Sequence, residues 1–284
     1  MKRIIFIGIA FMLGSMGAKS QTINTVLDGA YVPEHTQTKR VVPYPYLRES
    51  DVMWSKKIWR TLDLREKLNH PLYFPLEELN DRNSLFTVIK NSLVVDGSIT
   101  AYGLGPTQDD DEFKYPLAPS QVDSILNPTI DYADEDLLTG EITYITIANP
   151  IESEKVTQYQ LKEHWVFDKQ RSERYVRIIG ICPRQEVYDE TTGDFRGFKS
   201  LFWLYYPECR YVFQNAWVFN PGNGAERRSF EEIFQKRRFA SFIHKEDNVY
   251  DRPVASYALG IDALLEAERI KSDLFLIEHD LWHY

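Results

Sequence analysis

Two histidines four residues apart, His279 and His283, share one face of any helix that carries them, a spacing from which a metal ion can be gripped. The glutamate of a His-Glu-x-x-His site is missing between them, and the pair sits at a terminus prone to fray, so surface histidines are the better reading. His164 could act as a base, but it falls among polar residues of an alternating stretch and reads first as a surface or interface residue. The run Asp109-Asp110-Asp111-Glu112 has the charge of a calcium loop without its alternating ligands or turn glycine, and is expected to be a solvated acidic loop. Glycine-flanked serine elbows and phosphate-cradling glycine loops are absent from the sequence. Aspartates and glutamates are plentiful, yet no pair stands out for acid–base work. No catalytic, cofactor-binding or metal-binding residue is therefore assigned, no cofactor is expected, and the chain does not read as an enzyme.

Cys182 and Cys209 are the only cysteines, which excludes a disulfide-dense scaffold and a multi-cysteine zinc site. Each ends an apolar segment, so they form either one disulfide or two buried thiols. A bridge would stabilise by roughly 3 kcal/mol through loop closure.

The elements that position these groups are led by a hairpin, Gln158 to Pro183. Tyr159, Leu161, Trp165 and Phe167 alternate with Gln160, Lys162, His164 and Asp168, the pattern of a strand with one wet face. The second arm, Tyr175 to Cys182, is apolar on both sides and is expected to be central, ended by Pro183. A helix is expected over Glu49 to Leu68, another over Ser84 to Val95, and strands over Ser98 to Tyr102 and Glu141 to Ile147. Pro207-Glu208 opens a helical turn reaching about Asn215. Ser229-Phe230-Glu231-Glu232 is a capping box before a basic helix through Phe242, and a last helix runs from about Gly260 to Phe275 or Trp282.

The fold class expected is α+β: an antiparallel sheet with flanking helices. Residues 1–20, with Lys2 and Arg3, an apolar run and small residues at Ala18 and Ser20, read as a secretory signal peptide, a buried helix being the alternative. Residues 21–48 are a Pro/Tyr-rich extended arm, either docking or disordered. Residues 49–130 form a helical N-terminal lobe and residues 131–284 a β-rich lobe, with Asp131 to Asp136 as linker, and the two lobes can form one domain. No later segment is long and apolar enough to span a bilayer.

The formal charge is −9, and cleavage of residues 1–20 removes three cations, so nucleic acid and anionic lipid are poor partners. With 14% aromatic residues, the chain is rich in rings of the kind that anchor interfaces as often as cores, and rings beside arginines are what protein interfaces use. Interface candidates are Tyr31, Tyr44 and Tyr46 in the arm, Trp54 and Trp59, His164 and Trp165, and the cations Arg227, Arg228, Lys236 and Arg237. Solvated basic helices over a ring-rich core are the plainer alternative.

The string Glu163-His164-Trp165-Val166-Phe167-Asp168-Lys169-Gln170-Arg171-Ser172, followed by Val176 to Pro183, closely resembles the GldN/PorN family of the type IX secretion and gliding-motility system. Trp54 to Arg60, Asn69 to Tyr73, Tyr206 to Arg210, Ala225 to Arg228 and Phe234 to Arg237 extend the likeness over nearly the whole exported part. The resemblance implies a non-catalytic periplasmic subunit at the inner face of the outer membrane, and the lack of a cysteine after the apolar run of residues 4–13 leads to the expectation that it carries no lipid anchor of its own. It would form a ring with an outer-membrane lipoprotein of the GldK/PorK kind and with neighbouring copies. It would also touch the periplasmic part of a GldM/PorM-like motor protein. A periplasmic hydrolase or a ligand-binding module is the alternative.

Overall fold

From Val52 to Asp63 the even-numbered positions carry Val52, Trp54, Ile58 and Leu62, and this spacing suits a helix at every fourth residue and a strand at every second. The computed structural model, which describes residues 40–79, 82–135, 142–189 and 192–281, makes it strand β1 (Val52–Asp63), correcting the helix expected there. Strand wins because the odd positions Trp59 and Thr61 are buried too, which needs two covered faces. The signal-peptide segment, Tyr31, Trp282 and His283 lie outside the described residues.

Short helix α1 (His70–Tyr73) and helix α2 (Leu85–Val94) follow. Ser84 caps α2 by accepting the Thr87 N–H at 3.2 Å. After β2 (Ala101–Tyr102) come α3 (Pro119–Leu126) and the paired strands β3 (Thr129–Glu135) and β4 (Ile142–Ala148). The stretch read as a linker from Asp131 is thus strand as far as Glu135. The hairpin is β5 (Val156–Asp168) with β6 (Glu173–Tyr188), followed by β7 (Phe195–Ser200) and β8 (Trp203–Tyr205). Helix α4 (Tyr206–Asn215), β9 (Trp217–Val218), β10 (Arg228–Ser229), α5 (Phe230–Gln235), β11 (Phe242–Glu246) and α6 (Ile261–Leu281) complete the order.

The fold is α+β. Seven strands make one antiparallel sheet in the order β11-β1-β5-β6-β8-β2, with β7 pairing the far end of β6. The described residues fall in one compact unit, Lys39–Tyr284, and β1 and β2 share the sheet with strands from beyond residue 131. Since β5 lies between β1 and β6, it has no wet face: of its side chains only Gln160 and His164 are more than marginally exposed. That corrects the one-sided alternation, because a central strand is covered twice.

Pro183 does not end the second arm. It falls where the outer neighbour of β6 changes from β8, which pairs Gly180 and Ile181, to β7, which pairs from Arg184 onward. A missing N–H is tolerated at such a junction. On one face, Leu62, Tyr159, Leu161 and Ile181 pack under α2, α4 and α5, while Ile58, Trp165 and Ile243 pack under α6. On the other face, Trp59, Cys182 and Trp203 lie beneath Tyr102, Leu104 and Phe113. Gly180 permits that cover, since a Cβ there would come within 2.6 Å of the Phe113 ring.

The basic helix expected from Ser229 to Phe242 is shorter. Its cap holds, with Ser229 Oγ accepting the Glu232 N–H at 3.3 Å, but α5 stops at Gln235. Arg237 then takes a left-handed φ of 51°, and Phe242 already belongs to β11.

Candidate interaction surface

The Pro/Tyr segment before β1 is anchored on the chain's own body. The Tyr44 ring sits 4.0 Å from the Arg210 guanidinium and 5.3 Å from that of Arg177. Arg210 Nη2 donates to the Val42 carbonyl at 2.6 Å, and Arg177 Nη2 donates to the Pro45 carbonyl at 2.5 Å. Arg210 is itself held from below, its Nε donating to Glu231 Oε1 at 2.6 Å while the Tyr206 hydroxyl donates to Glu231 Oε2 at 2.6 Å. Burial raises the Tyr44 phenol pKa, with Arg210 opposing it, and holds Tyr206 well above the ordinary tyrosine value, beside the Glu231 carboxylate. The result is a seated Tyr44 and an outward Tyr46, 84% exposed.

The other expected interface residues divide by burial. Trp59 and Trp165 are 5% and 7% exposed and spend their ring surface inside the chain. Trp59 donates from Nε1 to Asp111, and Lys162 and Lys245 lie over its ring. Trp165 donates from Nε1 to Glu163 Oε2 at 2.9 Å, with Arg174 above its ring at 4.8 Å. Trp54 is half-buried against the α6 cluster. Arg237 and Trp165 are brought together around Glu163, which is fully buried and also faces Arg60. Arg227 lies over the Trp217 ring at 5.6 Å, Arg228 is 3.9 Å from Glu226, and Lys236 is exposed, 3.9 Å from Glu232. His164 is half-buried, its pKa lowered by burial and then by Lys57 and Arg177, so it is neutral at pH 7. Of the two alternatives for Cys182 and Cys209, the structure has the free, buried thiols. Each is enclosed where its own apolar segment packs, Cys182 against Trp59 and Trp203 on one face and Cys209 within the larger cluster on the other.

Among the described residues, concave regions occur that could hold small molecules. A first, about 610 Å³, lies between the Gly103–Gln108 loop, Ile125 and Leu201 and is mostly apolar. A second, about 390 Å³, is ringed by Trp59, Trp203, Phe198 and Phe242 with Arg184, Gln158, Gln160 and His244. A bulge at His244 in β11, opposite Trp59 and Arg60, lets Phe242, His244 and Lys245 all line it. His244 Nδ1 is 2.9 Å from the Thr61 hydroxyl, and burial with the charges of Arg184 and Lys245 lowers its pKa to about 3. A base so weak is poorly matched to proton abstraction at neutral pH. Among the described residues no group of three His, Cys, Asp or Glu could hold a metal ion.

The surface that sequence reasoning missed is on α6. Leu264, Leu265, Phe275 and Leu276 are more than half exposed on one side, opposite the buried Ala267, Ile270 and Leu274. The signal for it was present, because this helix has apolar residues on both sides and a globular helix needs only one such stripe. No described helix is long and apolar enough to cross a membrane. A family model described as "Gliding motility associated protein GldN" matches residues 47–283. No curated protein matches the chain.

Proposed function

Because the chain belongs to the GldN family of gliding-motility-associated proteins, we propose that it is a non-catalytic structural subunit of the type IX secretion and gliding machinery. In this reading it works in the periplasm at the inner face of the outer membrane. It joins an outer-membrane lipoprotein of the GldK/PorK kind and neighbouring copies in a ring, and touches a GldM/PorM-like motor protein. The observation that carries the reading is the combination of an anchored arm and outward apolar groups. Tyr44 fixes the segment while Tyr46 and Val42 face solvent, and further large apolar side chains stay uncovered on α6. Exposed rings and aliphatics held on a rigid body are what repeated assembly contacts use. Ring membership would raise effective concentration so that individually modest contacts hold.

Affinity purification of the chain from membranes, followed by identification of bound proteins, tests this. The lipoprotein should co-purify, and deletion of residues 21–41 together with Tyr46→Ser should reduce its recovery while Tyr44 stays in place. Recovery of the chain alone, with no envelope protein bound, would sink the reading. A ligand-binding role is the second reading, favoured by the four-ring cavity beside Arg184.

A further inference from the structure

Among the described residues, the buried cations Arg60, Lys162 and Arg210 each meet a carboxylate, at 3.2, 3.0 and 2.6 Å. Arg184, half-buried on β6, meets none. Its Nε is buried without a hydrogen-bond partner, and its Nη1 and Nη2 reach only Gln158 Oε1 at 3.4 Å and the Phe198 carbonyl at 3.3 Å. Both acceptors are neutral and both contacts are long, so the fork can turn toward a better acceptor at little cost. Burial lowers the pKa of Arg184, with the charge of Asp109 among those opposing. A guanidinium taken partly out of water without a counter-charge costs the fold stability, and such departures from local pairing collect at functional sites.

Arg184 lines the cavity of about 390 Å³ on the sheet face away from α6. The sheet itself is the floor. Thr61 is level with Gln160, Gln158 with Arg184, and Arg184 with Ser200, across β1, β5, β6 and β7. Side chains set on paired strands are held more precisely than those on loops. The walls are the rings of Trp59, Trp203, Phe198 and Phe242. The other charges at the cavity are placed differently: Lys245 meets Asp251 at 2.6 Å, Asp111 meets Lys162, and Asp109 is an exposed residue of the lining loop. A neutral ligand would leave the guanidinium unmet, and an inorganic anion would leave four rings against water. A carboxylate matches the fork of Arg184, and an apolar ring behind it matches the walls.

We propose that this cavity binds a small carboxylate carried on an apolar ring, the carboxylate against Arg184 and the ring among Trp59, Trp203, Phe198 and Phe242. The proposal gives the second, ligand-binding reading its ligand class and is independent of the structural-subunit reading.

Titration of the purified chain with phenylacetate and indole-3-acetate, read by saturation-transfer NMR and calorimetry, tests it. Both acids should bind at millimolar concentration, and the uncharged phenylacetamide and indole-3-acetamide roughly tenfold more weakly or worse. Glucuronate, a carboxylate on a hydroxylated ring, should also bind more weakly than phenylacetate. Arg184→Met should abolish the preference for acid over amide, and Arg184→Lys, which keeps the charge without the fork, should retain part of it. The acid–amide comparison needs no variant, so it decides the matter by itself if Arg184→Met fails to fold. A wild-type chain that binds neither acid at about 10 mM overturns the proposal, including the case where other residues of the chain fill the cavity. Equal binding of acids and amides, glucuronate bound as tightly as phenylacetate, or acid binding that survives Arg184→Met also overturns it. Recovery of envelope proteins with the chain is a separate measurement, so failure here leaves the assembly reading standing.

Discussion

Arg210, on the helix after β8, lies 4.0 Å from the centre of the Tyr44 ring, in the extended segment that precedes the sheet. One guanidinium thus joins the arm to the body: its face takes the ring, its Nη2 takes the Val42 carbonyl, and its Nε meets the buried Glu231. The arm's anchorage and the core's charge balance are therefore the same interaction.

Removing the ring should free the arm without unfolding the body. Tyr44→Ala loses a partly desolvated cation–π contact, about 1–2 kcal/mol, and should open residues 40–48 to limited proteolysis. Arg210→Ala leaves the Glu231 carboxylate buried without its cation and should cost about 3–5 kcal/mol in urea unfolding. Tyr46→Ala, at an exposed position, should change stability by less than about 0.5 kcal/mol. Equal effects of all three would refute the shared anchorage.

Glu163 holds two cations between the two clusters on one face of the sheet. Arg60 Nε is 3.2 Å and Arg237 Nη2 2.9 Å from its oxygens, as ion pairs in which Arg60 Nε and Glu163 Oε1 lack an aligned hydrogen bond. The Trp165 indole supplies the aligned one. Glu163→Ala should destabilise by about 3 kcal/mol, because Arg60, its side chain only 12% exposed, is left without a counter-charge. Glu163→Gln should lose less, since its amide oxygen still accepts from Trp165. Arg237→Ala should lose least, its side chain being 33% exposed. Chemical denaturation of the three variants checks that order.

Acid should destabilise the fold through His244. Its folded pKa, near 3, lies below the ordinary value of 6.5, so the neutral form is the one the fold accommodates. Between those values the unfolded chain binds a proton that the folded chain does not, so this contribution is complete above about pH 6.5 and falls as pH drops toward 3. One such group gives a slope of about 1.4 kcal/mol per pH unit. His244→Gln should flatten the profile of unfolding free energy between pH 6 and 4, roughly by that slope. His164, whose pKa is also lowered, acts with the same sign, so a residual slope that His164→Gln removes is expected.

The two thiols should be silent in the native chain. Burial pushes the Cys182 thiol up to about 12 and raises Cys209 as well, so little thiolate exists at pH 8. Alkylation followed by intact-mass measurement should show no label under native conditions and two labels after unfolding without reductant. A single species two hydrogens lighter, unlabelled after unfolding, would establish a bridge instead.

Where one periodicity dominates a stretch, or a cap stands at its start, residue order alone was enough. The capped helix after Ser84, the strands of the β5–β6 hairpin, the helix at Pro207 and the last helix after Gly260 all follow from spacing over a few residues. So did membership of a family, because long ordered strings survive without any knowledge of contacts. Tertiary structure decided the rest. Val52 to Asp63 satisfies both a helical and an extended period, and only the neighbours β5 and β11 choose between them. Trp59 and Trp165 read as rings for a partner, yet strand order carries them to opposite covered faces of one sheet. Tyr44 and Arg210, like Glu163 and Arg237, meet across long stretches of chain, and so do Lys162 and Asp111. Local spacing determines which way a side chain can point along its own element, whereas what it meets there depends on the order in which distant strands pair.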